Sequence, residues 1–232
     1  MRIKFHFQSH QKPALLPIYY HADVKSWFQN LLKDENIHYK TFNFGKPFSN
    51  HFQKRLDRNE FHELPIYWVF SIATDTAFDP SIFIGKKLSF IDKFSECELW
   101  IESVEWIPKP KLDNEVIFKT ITPVCATKHD ENKTLYLSPN YNNYEELLKT
   151  SLLDKYQKIN GKLPNNSDFH CEVKEMLSRT IMVNLESIEP GLKVRGFEFE
   201  MKLSGSKELI EFAWDAGLGE YTDLGFGMID IK

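Results

Sequence analysis

Apolar and polar residues alternate with a period of two in several stretches of the chain, and this alternation predicts β-strands. The clearest examples are Arg2 to Phe7, residues 97–107 and residues 193–205. Apolar runs rich in aromatic and β-branched residues predict further strands. These lie at residues 38–44, 63–74, 115–122, 135–139, 180–187 and 225–231.

Three other stretches repeat their apolar residues at the spacing of an α-helix. The stretch 21–35 has one apolar face, formed by Val24, Trp27, Phe28, Leu31 and Leu32. Residues 143–160 and 206–217 predict two more helices, and a short helix is expected near Asp79 to Phe83.

The segment Pro108 to Asn114 contains two prolines and no apolar periodicity, which is typical of a linker. Helices and antiparallel strands mix on both sides of it, and each side has the character of a split βαβ unit. The pattern therefore predicts an α+β protein with two domains, residues 1–110 and residues 115–232.

Composition narrows the function classes. No apolar run approaches the roughly 18 residues of a membrane-spanning helix, and the start of the chain does not have the apolar core of a signal peptide. A cytoplasmic location and no membrane partner are expected. The three cysteines, Cys97, Cys125 and Cys171, lie far apart and predict neither a disulfide framework nor a zinc site. The formal net charge is −4, so nucleic-acid binding would depend on a local basic patch.

Four glycines fall within eleven positions near the end of the chain: Gly217, Gly219, Gly225 and Gly227. No Gly-Lys-Ser/Thr follows them, which excludes a P-loop, and a helix precedes them where a dinucleotide fingerprint requires a strand. Glycines permit positive φ and the close approach of another backbone. One interpretation is a helix C-cap followed by a bulged strand; the other is a loop that lies against a ligand.

The sequence AGLGEYTDLGFGMI around these glycines resembles the C-terminal signature of the CRISPR-associated repeat-processing endoribonucleases, in the repeat-associated RNA-binding (RAMP) superfamily. Other segments resemble the same family in the same order. They are ALLPIYYHADVKSW, FKTITPVCATK, LYLSPN, LLKTSLLDKY and KVRGFEFEMKLSGSKELIEFAWDAG.

This resemblance implies two tandem ferredoxin-like (RRM-like) domains and a protein that binds CRISPR precursor RNA and cuts it within each repeat. Such enzymes use no metal or other cofactor: the ribose 2′-OH attacks the adjacent phosphate and leaves 2′,3′-cyclic phosphate and 5′-OH ends. The expected partner is CRISPR repeat RNA. Other CRISPR effector subunits and a homodimer through exposed apolar residues of the first helix are further candidates.

The reaction needs groups that transfer protons and a cation that stabilises the phosphate charge. The family's usual histidine position carries Lys33, and His38 is the histidine left in that interval. We expect His38 to act as general acid or base, Tyr20 to orient the substrate and Lys40 to stabilise the phosphate. His51 is the next candidate, and Lys33 is a substitute cation. The alternative interpretation makes His38 and Lys40 solvated residues at a strand edge.

Candidate phosphate contacts form two clusters, because nucleic-acid binding requires local positive charge. The first comprises Lys46, Lys54, Arg55 and Arg58, and the second comprises Lys193 and Arg195, which Arg179 would join. The four glycines are candidate RNA contacts through their backbone N–H groups. The loop between them carries Glu220 and Asp223, which repel phosphate.

Three functions follow from these observations. The first is a metal-independent endoribonuclease. The second, favoured by the displaced histidine and the acidic loop, is a relative that binds RNA without cutting it or serves as a subunit of a ribonucleoprotein. The third is a tandem ferredoxin-like protein without any RNA role.

Overall fold

The computed structural model describes residues 1–39, 41–74, 77–91, 96–130, 133–185 and 188–232. The described residues of the first half form one α-helix, one short 3₁₀ turn at Pro80–Phe83 and eight strands. In chain order these are β1 (Arg2–Gln8), β2 (Ala14–Pro17), α1 (His21–Asp34), β3 (Thr41–Phe44), β4 (Phe52–Lys54), β5 (Arg58–Phe61), β6 (Ile66–Ala73), β7 (Lys87–Ile91) and β8 (Glu96–Ile107).

Five of these strands form an antiparallel sheet in the order β3-β6-β1-β8-β7. Strands β3, β6, β1 and β8 of this sheet, together with α1, have the order of a ferredoxin-like domain. The 3₁₀ turn takes the place of that domain's second helix. Helix α1 packs its apolar face on one side of the sheet because Phe28 and Phe70 meet at a ring distance of 4.5 Å. Strands β2, β5 and β4 form a separate small sheet beside it.

The second half repeats the same plan. Its elements are β9 (Glu115–Thr120), β10 (Thr127–Asp130), β11 (Lys133–Tyr136), α2 (Tyr144–Asn160), β12 (Phe169–Leu185), β13 (Ile188–Gly205), α3 (Lys207–Ala216) and β14 (Ile229–Ile231). The sheet order β12-β13-β9-β14 is again ferredoxin-like. The protein is therefore an α+β protein with two tandem ferredoxin-like domains, as predicted.

The two halves share buried polar contacts. The Arg2 guanidinium, which is 3% exposed, donates to the carbonyls of Trp214 (2.5 Å) and Ile229 (2.6 Å). The Ser71 hydroxyl donates to the Asp215 carbonyl at 2.6 Å. These bonds fix the first sheet against α3 and β14, because a buried donor or acceptor that loses its partner costs free energy.

Most of the predicted elements are confirmed, including the strand at Arg2, the three α-helices and the turn near Pro80. The predicted strand 38–44 is shorter and begins at Thr41, and the predicted strand 225–231 begins only at Ile229. Strand β12 begins eleven residues before the predicted strand that starts at Thr180. A register shift between Val173 and Met176 interrupts the alternation there, which hides the strand from pattern analysis.

The apolar face of α1 packs mainly inside the protein. Val24, Phe28, Leu31 and Leu32 are buried in the hydrophobic core of the first half, and Trp27 is partly buried against it. A homodimer therefore stays a prediction without this support. No helix in the described part of the chain is long and apolar enough to cross a membrane.

Candidate functional site

The four glycines lie in one buried segment, residues 217–227, which we call the glycine loop. Each of its glycines has a positive φ, between 70° and 79°. A Cβ atom at Gly219 would lie 2.2 Å from the Cys125 carbonyl oxygen, and one at Gly227 would lie 1.9 Å from the Leu218 carbonyl oxygen. Only glycine fits either position, because both neighbours are backbone atoms.

The glycine loop also packs against strand β3 of the first half. A Cβ atom at Gly217 would lie 2.4 Å from Asn43 Nδ2, and one at Gly225 would lie 2.4 Å from the Phe44 ring. The close approach that the glycines permit is therefore an approach to the protein itself. A direct contact between these glycines and RNA stays a prediction without support from this packing.

Helix α2 holds the loop from the other side. The Lys155 ammonium donates to the carbonyls of Gly217 (2.6 Å) and Gly219 (3.0 Å), and the Ser151 hydroxyl donates to the Gly219 carbonyl (3.0 Å). Burial lowers the pKa of Lys155 to about 7, although Glu220 and Asp223 oppose this shift. Lys155 is not among the predicted site residues; its signal in the sequence is its position three residues after the buried Leu152 on the apolar face of α2.

The two acidic residues of the loop are engaged inside the protein. Asp223 forms an ion pair with Lys25 of α1 at 2.5 Å, and Glu220 accepts a hydrogen bond from the Thr127 hydroxyl at 2.6 Å. Their repulsion of a phosphate is therefore weaker than the sequence indicates, because each has a partner donor or cation.

A cavity of about 510 Å³ lies on one side of the glycine loop, and we call it the cationic cavity. Its cations are Lys46, Lys54 and Arg179, which come from three separate segments. Tyr19 and Phe52 also line it and are 36% and 42% exposed. Its other lining residues include Ile18, Tyr20, His21, Pro47, Asn59, Thr122, Pro123, Thr180, Ile181, Glu198 and Gly225.

Glu198 of β13 joins two of these cations. Its carboxylate pairs with Lys46 and accepts from Arg179 Nε at 2.9 Å. Burial by itself would raise the pKa of Glu198, but the bonds from Lys46 and Arg179 outweigh it and leave that pKa below its usual value. The carboxylate is thus an anion that occupies two cations of the cavity. Glu198 is also absent from the predicted site residues, because it lies 152 positions from Lys46 in the sequence.

The other predicted cations lie elsewhere. Arg55 and Arg58 flank the Glu60 carboxylate at 3.1 Å and 3.0 Å, so both contribute to an ion-pair cluster on the small sheet. Lys193 and Arg195 are exposed on β13, and Arg195 Nε donates to the Ser178 hydroxyl at 3.0 Å. The first predicted cluster is therefore divided, and only Lys46 and Lys54 of it reach the cationic cavity.

The predicted catalytic residues are not brought together. Tyr20 precedes the first residue of α1 and His38 follows its last turn, so the 14-residue helix separates them by roughly 20 Å at 1.5 Å per residue. Tyr20 is buried, with its ring stacked on His21 at 4.3 Å, and burial raises its pKa. His38 is exposed. Lys40 lies outside the described residues.

Tyr20 lines the cationic cavity. Tyr39, which follows His38 in the chain, lines a second cavity of about 550 Å³, which residues 219–223 of the glycine loop also line. Lys155 and Lys158 line this second cavity as well. Of the alternatives, His51 is exposed with its ring stacked on His62 at 4.7 Å, and Lys33 is exposed in the last turn of α1.

His21 connects α1 to the glycine loop. Its Nδ1 lies 2.8 Å from the Leu224 carbonyl oxygen, which ties the start of α1 to the glycine loop. Burial lowers the pKa of His21 to about 4, although the bond to Leu224 opposes this shift. The ring is therefore neutral at physiological pH.

Several known proteins are similar to this chain. A putative CRISPR-associated endoribonuclease-like protein Cas6nc from Pyrococcus horikoshii is 27% identical over 143 residues, which are 60% of this chain and 57% of that protein. The CRISPR-associated endoribonuclease Cas6 1 of Methanocaldococcus jannaschii is 31% identical over 137 residues, 57% of this chain and 50% of that protein. The matched region thus spans about half of each relative.

A solved structure described as an RAMP protein binding different RNA substrates superposes with a TM-score of 0.79. It is 22% identical, and the match covers 100% of this chain and 99% of that one, so the likeness shows a shared fold. The model of the family described as CRISPR associated protein Cas6, C-terminal, matches residues 107–231, which are more than half of the chain. The protein therefore belongs to the Cas6 family of CRISPR-associated proteins.

Proposed function

We propose that this protein binds CRISPR repeat RNA and that a single-stranded part of the RNA lies in the cationic cavity. The observation that carries the proposal is the convergence of Lys46, Lys54 and Arg179 on one cavity that also exposes the rings of Tyr19 and Phe52. Cations that follow the backbone and aromatic rings that stack on bases are the two components of single-strand binding. The similar structure described as binding RNA substrates supports the same function.

Two substitutions of opposite sign test the cavity. We expect Lys54→Gln to weaken RNA binding and to reduce the dependence of log K on log salt by about 0.7, the contribution of one phosphate contact in a single strand. We expect Glu198→Gln to tighten binding, because it releases Lys46 and Arg179 from a carboxylate. Fluorescence anisotropy with repeat RNA from the host's CRISPR array, between 50 and 200 mM salt, measures both.

Lys162→Gln is the control, since Lys162 is exposed just after α2 and does not line the cationic cavity. It removes the same charge and should leave the salt dependence unchanged. Equal effects of Lys54→Gln and Lys162→Gln would show that only net charge matters and would remove the cavity from the proposal.

Cleavage is the second candidate function, because curated relatives are named endoribonucleases. In this proposal the 2′-OH attacks the adjacent phosphate without a metal, and the exposed His38 imidazole transfers a proton, a role for which histidine is suited near neutral pH. The burial of Tyr20 and its separation from His38 instead favour binding without cleavage. We therefore place RNA binding first.

A cleavage assay in EDTA with end-labelled repeat RNA separates the two candidates. If His38 is catalytic, His38→Ala should slow cutting by about 100-fold or more, the usual contribution of a general acid or base. His170→Ala, at another exposed histidine, should retain full activity. A cut that survives His38→Ala would move the site to His51 or Lys33, and RNA that is bound but uncut would establish the binding function alone.

Three further predictions accompany this proposal: a cytoplasmic location, association with other CRISPR effector subunits and a homodimer. Size-exclusion chromatography of the protein alone would measure the homodimer, and the same experiment on its mixture with other CRISPR effector subunits would measure that association.

A further inference from the structure

The face of the first sheet that lies opposite α1 carries a row of side chains across three strands. Antiparallel register places Tyr67 of β6 beside His6 of β1, and His6 beside Ser103 of β8. Residues directly opposite in such a ladder project from the same face. Ser71, four residues further along β6, is covered by Asp215, so the second half covers one end of this face and leaves the Tyr67 end accessible.

Phe48 extends this row beyond the edge of β6. Its backbone N–H and carbonyl both bond to Tyr67, at 3.0 Å and 2.8 Å, and this pair of bonds fixes its position. The two rings stack with centroids 5.1 Å apart and an interplanar angle of 28°. We call Phe48 and Tyr67 the aromatic pair. Phe48 is 49% exposed, although a large ring normally gains free energy by burial.

A cation and a histidine flank the Tyr67 ring of the aromatic pair. Lys4 Nζ lies 5.7 Å from the centre of the Tyr67 ring, and the His6 ring meets Tyr67 edge-on at 5.0 Å. The Glu105 carboxylate pairs with Lys4 and lies 3.6 Å from His6 Nε2, so its charge is compensated within the same row.

The aromatic pair is continuous with the cationic cavity. Lys46 and Pro47 line that cavity, and Phe48 follows them directly in the chain. An RNA strand that leaves the cavity past Lys46 therefore meets the exposed Phe48 ring next. Bases of single-stranded RNA are recognised by stacking on aromatic side chains, and sheet surfaces of this topology use rings on central strands for that purpose.

We propose that the aromatic pair is a stacking site for one unpaired base of the RNA held in the cationic cavity. The proposal rests on the RNA-binding function proposed above and adds a second subsite to it. In this site the outer face of the Phe48 ring contacts the base and its inner face stacks on Tyr67. Lys4, on the neighbouring strand β1, lies against the Tyr67 ring.

The test measures affinity for single-stranded repeat RNA by anisotropy in wild type, Phe48→Ala and Phe48→Trp. Phe48→Ala should weaken binding by about tenfold, because one base–aromatic stack contributes on the order of tenfold or more in affinity. The salt dependence should stay unchanged, since no cation is removed. Phe48→Trp should bind at least as well as wild type. Ile91→Ala, at a residue that is 79% exposed on another strand, is the matched control and should bind normally.

An abasic series locates the base. RNAs that each lack one base are measured against wild type and Phe48→Ala, and at one position the two losses should not add, because both remove the same stack. Additive losses at every position would overturn the stacking site.

Two more results distinguish a failure of the proposed RNA-binding function from a failure of the stacking site alone. If wild type does not bind the RNA, the proposed function itself fails. If wild type binds and Phe48→Ala binds equally well, only the stacking site fails, and an equal loss on fully paired RNA would also exclude an unpaired base as the occupant.

Discussion

Gly227→Ala is expected to lower the free energy of unfolding by about 4 kcal/mol or more, a loss in the range reserved for severe backbone or core defects. Gly227 has a φ of +74°, and a Cβ atom would lie 1.9 Å from the Leu218 oxygen and 3.0 Å from the Leu218 carbonyl carbon. Leu218 cannot turn away, because its N–H donates to the Gly227 carbonyl at 2.9 Å. Urea denaturation followed by near-ultraviolet circular dichroism measures the loss.

Gly161→Ala is the control for backbone conformation alone. Gly161 has a φ of +71°, but a Cβ atom there would meet nothing within 4 Å. Its substitution should cost about 1 to 2 kcal/mol, the usual penalty for an L-residue in the left-handed region. A loss at Gly227 no larger than that at Gly161 would show that the glycine loop rearranges freely, and the packing argument for the loop would then be wrong.

The contrast between these two glycines also shows what a single sequence can predict. The helix C-cap that Gly217 forms follows from a general rule, since glycine is favoured after the last helical residue. The neighbours of Gly219 and Gly225 do not follow from it. Cys125 and Phe44 approach from distant parts of the chain, so the packing that demands glycine appears only in three dimensions.

The fold was largely predictable because its cores follow simple periods. Strand β1 buries Ile3, Phe5 and Phe7 by strict alternation, and α1 buries its apolar face at helical spacing. The start of β12 was missed because its bulge at Val173 to Met176 breaks the alternation. The last strand was predicted too long, because Gly225 and Gly227 adopt left-handed conformations that a strand excludes.

The candidate site was predictable only in part, because it is formed by side chains that come together from distant segments of the chain. Lys46 and Lys54 are cations near each other in sequence, and both line the cationic cavity. Arg55, also in that run, faces Glu60 instead. Tyr20 and His38 are both predicted to act on the reacting phosphate, yet α1 lies between them. A helix of this length places the residues at its two ends far apart.

Lys155→Met is expected to lower the free energy of unfolding at pH 9 by about 2 to 5 kcal/mol. The methionine nearly fills the space of the lysine but cannot donate to the carbonyls of Gly217 and Gly219. An acceptor left without a partner costs about 1 to 3 kcal/mol, and the Ser151 hydroxyl still satisfies part of the Gly219 carbonyl. The difference is measured by urea denaturation of both proteins.

The same pair of proteins tests the titration of Lys155. Burial lowers the pKa of Lys155 from 10.5 to about 7. Between pH 7 and pH 10.5 the Lys155 side chain therefore binds a proton in the unfolded chain but largely loses it in the folded protein. The free energy of unfolding of the wild type consequently rises with pH over this range. Between pH 7 and 9 this gain is about 2 kcal/mol at 1.36 kcal/mol per unit of pKa. The methionine variant lacks this gain, so the difference in free energy of unfolding between wild type and variant should grow by that amount from pH 7 to pH 9.

Lys158→Met, at an exposed lysine of the same helix, is the control and should change neither the free energy of unfolding nor its pH dependence. A pH-independent difference between wild type and Lys155→Met would mean that Lys155 keeps its ordinary pKa, and the pKa shift that we attribute to burial would then be wrong.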